Sequence, residues 1–284
     1  MCYTVHEVNS MRYKLSQIPP PALAGVVKEK SVNGAIAQIK NCICDGATMI
    51  DLHVSCLELW DVETLKKILS HAQLPVLALN YNQAYDTQYA GFTEQARVES
   101  LLNAVRAGAA GIDMQGYTFH LPSKAAFCGE DRYTFTKKKP KEVVTDGEII
   151  AKQCALIEQV HGMGAEVLLS CHPGISMTAD EVVELALFLE ARKPDIIKIV
   201  TRADSGEELA ESIRAMLLLK KELRTPVAYH ASGAAGMLSR IVNPLLGGHI
   251  AFCVDRYTEN STMEQIDLHA AAAVVENVKK IVGD

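Results

Sequence analysis

The residue with the most chemistry in this sequence is a lysine set in the middle of an apolar run. Lys198 interrupts Asp195-Ile-Ile-Lys-Ile-Val-Thr201, whose β-branched residues mark a strand buried on both faces. Water-free surroundings disfavour an ammonium, and a neutral amine is the nucleophile that attacks a ketone to form an imine. The competing reading is a structural lysine paired with Asp51 or Asp113. His172 ends Val167-Leu-Leu-Ser-Cys-His-Pro-Gly174 one strand earlier. A histidine there suits a general acid/base, because imidazole exchanges protons near neutral pH. Other polar groups also fall at the ends of apolar runs: Asp51, His53, Asn80, Asp113, Gln115, His230 and Asp255. Gly233-Ala-Ala-Gly236, Arg240 and Gly247-Gly248 could bind an anion through backbone N–H groups and a two-pronged guanidinium. Tight turns are the plainer role for those glycines.

Positioning these groups requires a repeated scaffold, and the sequence contains one. Short apolar runs at 23–27, 49–55, 76–81, 111–116, 166–172, 196–201, 227–232 and 249–254 read as strands. Helical segments follow near 33–45, 61–71, 93–107, 146–162, 178–191, 205–221, 236–243 and 262–281. Ser205 with Glu208, Thr178 with Glu181 and Thr145 with Glu148 have the capping-box spacing. Apolar strands alternating with helices imply a parallel sheet covered on its outer face, and eight repeats imply closure into a (β/α)₈ TIM barrel. A doubly wound open sheet is the alternative. One domain over residues 1–284 is expected, with a long connection at about 117–145 leaving the catalytic end of the fourth strand.

Composition narrows the partners. A net charge of −6 over 284 residues argues against a nucleic-acid polyanion. The one basic run, Lys137-Lys138-Lys139-Pro140-Lys141, is short and adjoins Glu142. No uninterrupted apolar stretch reaches the roughly 18 residues of a membrane span, and the first residues lack the apolar centre of a signal peptide. The eight cysteines are scattered, without a CxxC or paired Cys/His pattern. Reduced thiols in a cytoplasmic protein are therefore expected.

With these residues in place, the chain resembles the type I 3-dehydroquinate dehydratases, class I (β/α)₈ barrels that form Schiff bases. The resemblance runs from about residue 21 to the end and is strongest over 165–270. Val167-Leu-Leu-Ser-Cys-His172 resembles the strand ending in the family's catalytic histidine, and Asp195-Ile-Ile-Lys198-Ile-Val the strand with its imine-forming lysine. Leu238-Ser-Arg240-Ile matches the segment whose arginine holds the substrate carboxylate. Phe252 falls at the pocket phenylalanine, and Ser261-Thr-Met-Glu-Gln265 keeps the ends of the closing Ser-x-x-x-Gln loop.

The resemblance implies a lyase that removes water from a cyclic hydroxy-keto acid without metal or organic cofactor, acting in shikimate or quinate metabolism. Lys198 and His172 are then catalytic; Asp51, His53, Asn80, His230, Arg240, Ser261 and Gln265 bind substrate, and a homodimer is expected. The chain also departs from the family. Asp51-Leu-His53 stands where the family has Glu-x-Arg, and Asn80 where it has an arginine. His230 or Ser232 replaces a methionine, and only Asp86 lies near the missing glutamate that orients the histidine. The competing functions are an aldolase-like lyase on another hydroxy-keto acid, a metal-dependent hydrolase using Asp51, His53, His172 and His230, and a degenerate binding protein.

Overall fold

The computed structural model describes residues 13–81, 93–120, 143–258, 261 and 264–283. Asp86 and the basic run at 137–141 lie outside these residues, as does most of the long connection.

Eight parallel strands form the scaffold: β1 (Ala22–Val27), β2 (Met49–His53), β3 (Val76–Leu79), β4 (Gly111–Gln115), β5 (Glu166–Cys171), β6 (Ile196–Arg202), β7 (Val227–Ser232) and β8 (Ile250–Val254). Helices alternate with them: α1 (Val32–Cys44), α2 (Val62–Leu69), α3 (Glu94–Ala107), α4 (Gly147–Gly162), α5 (Ala179–Glu190), α6 (Gly206–Glu222), α7 (Ser239–Leu245) and α8 (Leu268–Val282). Neighbours pair in chain order from β1 to β7, and β1 also pairs with β8. The ring closes where the His249 N–H donates to the Val227 carbonyl at 2.7 Å. This is the expected (β/α)₈ barrel, and the open doubly wound sheet is excluded.

Two apolar layers hold it together. One lies inside the barrel and includes Ala24, Val26, Met49, Leu77, Leu168, Ile196, Ala228, Ile250 and Phe252. The other lies between strands and helices, with Ile39, Leu65, Leu101, Val105, Ile112, Val167, Ile199 and Leu219. Continuous apolar strands follow from this double burial, since period-two alternation supplies both layers. The segment before β1 closes the inner layer's lower end. Leu15 is fully buried there; its carbonyl accepts from His249 Nε2, and Ser16 Oγ donates to Glu166 Oε1 at 2.6 Å. The opposite end, where the strands finish, is left for chemistry.

Local signals set most helix starts. Thr178 and Glu181 form the full capping box, and Ser205 Oγ accepts from the Glu208 N–H. At α4 the expectation needs correction. Asp146, not Thr145, caps the helix, accepting from the N–H groups of Glu148 and Ile149, as a carboxylate at a positive helix end does well. The last helix also starts later than read. A ninth, two-residue strand, β9 (Ile266–Asp267), pairs with β8 first, and Asp267 then caps α8. Among the described residues no helix is long and apolar enough to cross a membrane.

Candidate active site

Period-two alternation decides which polar side chains enter the barrel. Lys198 pairs in register with Ser170 and Ala228, and its side chain crosses the interior. Lys198 Nζ lies 3.3 Å from Asp113 Oδ2 and 4.2 Å from the centroid of the Phe252 ring. Lysine and aspartate are 5% and 0% exposed, so each supplies the charge the other needs inside the protein. The structural pairing considered from sequence thus exists, with Asp113 and not Asp51 as the partner. It does not compete with imine chemistry. A carboxylate at this distance can take the proton that an amine must shed, and the phenyl face attracts a positive nitrogen.

A chain of contacts fixes Asp113. Its Oδ1 accepts from Ser170 Oγ at 2.5 Å and from Gln115 Nε2 at 3.2 Å. Gln115 Oε1 accepts from Arg97 Nη1 at 2.6 Å, and Arg97 Nη1 also donates to the Asn80 carbonyl. Arg97 Nη2 donates to Thr118 Oγ1 and Glu94 Oε1, and Nε donates to Glu94 Oε2. Sequence reading missed this arginine, because a basic residue on α3 reads as a solvated face. The structure buries it to 1% exposure. Arg97→Met leaves those acceptors unpaired and is expected to destabilise the fold by about 3–5 kcal/mol. The denaturant midpoint should fall while the slope of the transition is unchanged; a shift worth less than about 1 kcal/mol refutes this account.

Two histidines sit beside the lysine's end of the barrel. His53 Nε2 lies 3.5 Å from Asp51 Oδ2. Burial holds its pKa below the usual imidazole value, and the pull of Asp51 only partly offsets this. Asp51 Oδ1 lacks a hydrogen-bond partner among the described residues. His172, two residues beyond Ser170, is half-buried, with its ring 5.9 Å from that of Tyr81 in an edge-on contact. Tyr81 stands 6.0 Å from His53 as well. Tyr81, not Asn80, is therefore what the end of β3 presents to the histidines. The Asn80 amide nitrogen donates to Ser100 Oγ of α3 at 2.8 Å, on the helix side of the strand, while its Oδ1 lacks a partner among the described residues. One step along a strand reverses the face.

On β7, His230 accepts through Nε2 from Arg240 Nη1 at 3.1 Å. The direction is fixed because a guanidinium has no acceptor. Burial, then the positive charges of Arg240 and Lys198, hold the His230 pKa well below the usual value. The ring is a neutral acceptor and not a titrating group of the pocket. Arg240 Nη2 donates to Glu264 Oε2 at 2.9 Å, and Glu264 Oε1 accepts from the Gly233 N–H at 3.1 Å.

The anion-binding role considered for the glycines is mostly taken up by turns. The N–H groups of Ala235 and Gly236 bond the Ala203 carbonyl, and those of Gly247 and Gly248 bond Pro244 and Asn243. Gly233 itself needs to be glycine. Its φ is +89°, and a Cβ would meet Asp204 Oδ1 at 2.6 Å.

Ser261 and Gln265 meet at a different wall. Together with Val26, Lys28, Gln38 and Val254 they line a cavity of about 330 Å³ between β1, α1 and β8. Ser261 Oγ accepts from the Thr258 N–H at 2.8 Å. Gln265 is 8% exposed, with Oε1 lacking a partner among the described residues. Lys28, overlooked in the sequence, lies two residues past Val26 at the end of β1, and its charge contributes to the lowered pKa of His53. Its strand-end position was the available signal. Among the described residues no group of three or more His, Cys, Asp or Glu side chains is placed to hold a metal ion.

Fold and site together define a (β/α)₈ barrel whose ionisable groups gather around a buried lysine at the mouth. Residues 142–280 match the model of the type I 3-dehydroquinase family. A 3-dehydroquinate dehydratase of Alkaliphilus oremlandii is 29% identical over 128 residues, 44% of this chain and 49% of that protein. The chain thus spans about half the length of that curated relative. The crystal structure of the 3-dehydroquinate dehydratase from Geobacillus kaustophilus superposes with a TM-score of 0.74 at 14% identity, covering 94% of this chain and 96% of that one. A type I 3-dehydroquinate dehydratase from Clostridium difficile, described with covalently modified comenic acid, gives 0.71 at 14% identity, covering 92% and 93%. These two show the fold. By these likenesses residues 142–280 are similar to the type I 3-dehydroquinases, and the whole chain shares their fold.

Proposed function

We propose that this barrel is a carbon–oxygen hydro-lyase that removes water from a cyclic hydroxy-keto acid through an imine on Lys198. The observation that carries the proposal is the lysine itself: buried, held at 3.3 Å by Asp113 and facing Phe252 at 4.2 Å. Nζ attacks the ketone, the C–N bond forms, and the carbonyl oxygen departs as water. The resulting iminium draws electrons from the neighbouring carbon and acidifies its C–H. Asp113 and the Phe252 face stabilise the positive nitrogen as it develops. His172 takes the acidified proton and returns it to the departing hydroxyl, and water then hydrolyses the imine to free the lysine.

In this reading His53, paired with Asp51, stays a neutral hydrogen-bonding group toward substrate hydroxyls. Arg240 addresses the substrate carboxylate, with His230 fixing one edge of its guanidinium, while Ser261 and Gln265 contact the substrate from the wall beside β1 and β8. An aldolase-like lyase on another hydroxy-keto acid uses the same lysine; the altered residues at Asp51 and His53 favour considering it. A single barrel domain, a cytoplasmic setting and a homodimer belong to the same proposal. Among the described residues the cysteines form no disulfide, which suits a reducing compartment, and the dimer follows the family likeness.

The test is trapping. Borohydride added with the right keto acid should leave a reduced substrate mass on the peptide containing Lys198. A panel of cyclic and open-chain hydroxy-keto acids that leaves this peptide unmodified overturns the proposal.

A further inference from the structure

Arg240 is already occupied. Its Nη2 reaches Glu264 Oε2 at 2.9 Å, Nη1 is spent on His230 at 3.1 Å, and the other Glu264 oxygen takes the Gly233 N–H at 3.1 Å. A guanidinium edge and a backbone N–H are the donors a substrate carboxylate would seek. Here a side chain of the Ser261–Gln265 loop has taken them.

Resting on the function proposed above, we propose that Glu264 is a specificity-determining residue: a built-in carboxylate that occupies the anion subsite, which an acidic substrate must displace. Three observations make displacement workable. Arg240 is 8% exposed, and its Nε lacks a partner among the described residues. Glu264 thus satisfies the guanidinium incompletely, whereas a carboxylate set across Nε and Nη2 would satisfy both by two parallel hydrogen bonds. The Glu264 side chain is 36% exposed, so on release it has water to receive it. It also sits on the loop that bears Ser261 and Gln265, so displacement and substrate contact involve one segment.

An intramolecular competitor acts at an effective concentration on the order of millimolar. Acids that merely match its contacts are rejected, and only those that also bond Nε and fill the rest of the site enter. Removing the competitor should therefore tighten binding of acids in general and leave neutral analogues alone.

Calorimetry with quinate, which has the carboxylate and ring but no ketone, separates this from imine formation. Glu264→Ala should bind quinate at least tenfold more tightly than the native protein, with Glu264→Gln intermediate. The methyl ester of quinate should bind all three proteins within a factor of two. Adding Arg240→Ala to Glu264→Ala should abolish the gain. The near-isosteric Gln variant keeps the test valid if the Ala variant folds poorly. Equal or weaker quinate binding in the Glu264 variants, no detectable binding in any of them, or an equal gain for the ester overturns the proposal. A borohydride adduct on Lys198 alongside any of these results means that this inference alone has failed. Absence of the adduct is the failure of the hydro-lyase reading.

Discussion

Replacing Lys198 by methionine should reduce kcat by about 10⁴-fold or more and abolish the borohydride adduct. Loss of the residue that makes the covalent intermediate removes the reaction path itself, and nucleophile knockouts in other enzymes reach this scale. Methionine keeps the volume and lets the thioether lie on Phe252, so the barrel interior stays filled. The Asp113 carboxylate then loses a partner, but Ser170 Oγ and Gln115 Nε2 still donate to it. The variant should fold, with a stability loss read separately by denaturation. Asp113→Asn makes a useful contrast. It keeps the nucleophile and removes the proton acceptor beside it, so it should lower kcat by about 10²-fold, the lower range for acid–base assistance, while still giving the adduct. A folded Lys198→Met protein within tenfold of native activity sinks the imine.

The barrel was legible because its signal is repeated eight times and each repeat is redundant. Losing the eighth helix's start to a two-residue strand changes nothing about closure. Lys198 and His172 stand out in the sequence for a related reason: an ionisable group inside or at the end of an apolar strand has few bland explanations, whereas Arg240, on α7, stands out only through the Leu238-Ser-Arg240-Ile resemblance. What escaped was relational. Arg97 on α3 looks like any surface arginine until the fold brings Gln115, Thr118 and the Asn80 carbonyl around it. Asn80 and Tyr81 are neighbours at a strand end, where a single step decides between helix layer and pocket. Glu264 was seen only as a spacer between Ser261 and Gln265, because its importance lies in a contact with Arg240, 24 positions away.

These relations bear directly on substrate. Turnover of 3-dehydroquinate should be poor, with kcat/KM below about 10⁴ M⁻¹s⁻¹, under the usual enzyme range. A differently hydroxylated or smaller keto acid should exceed it by at least tenfold. The family resemblance places an arginine at each of two positions that would face the ring hydroxyls. Here one is His53, which burial keeps neutral, and the other is Asn80, whose amide nitrogen is bound to Ser100 of α3. Asp51 is a methylene shorter than the glutamate it replaces. Sites that read hydroxyls through buried polar partners lose orders of magnitude when partners are missing, because the substrate group is then desolvated without compensation. Lys28 supplies one new charge, but from β1, on the wall shared with Ser261 and Gln265. Among the described residues, a hydroxyl pattern suited to β2 and β3 finds no cation there. Steady-state assays across a keto-acid panel decide the matter. A kcat/KM for 3-dehydroquinate at or above about 10⁴ M⁻¹s⁻¹ would mean that Lys28 and the neutral His53 do the work of two arginines, and the chain would act as an ordinary dehydratase of the kind it resembles.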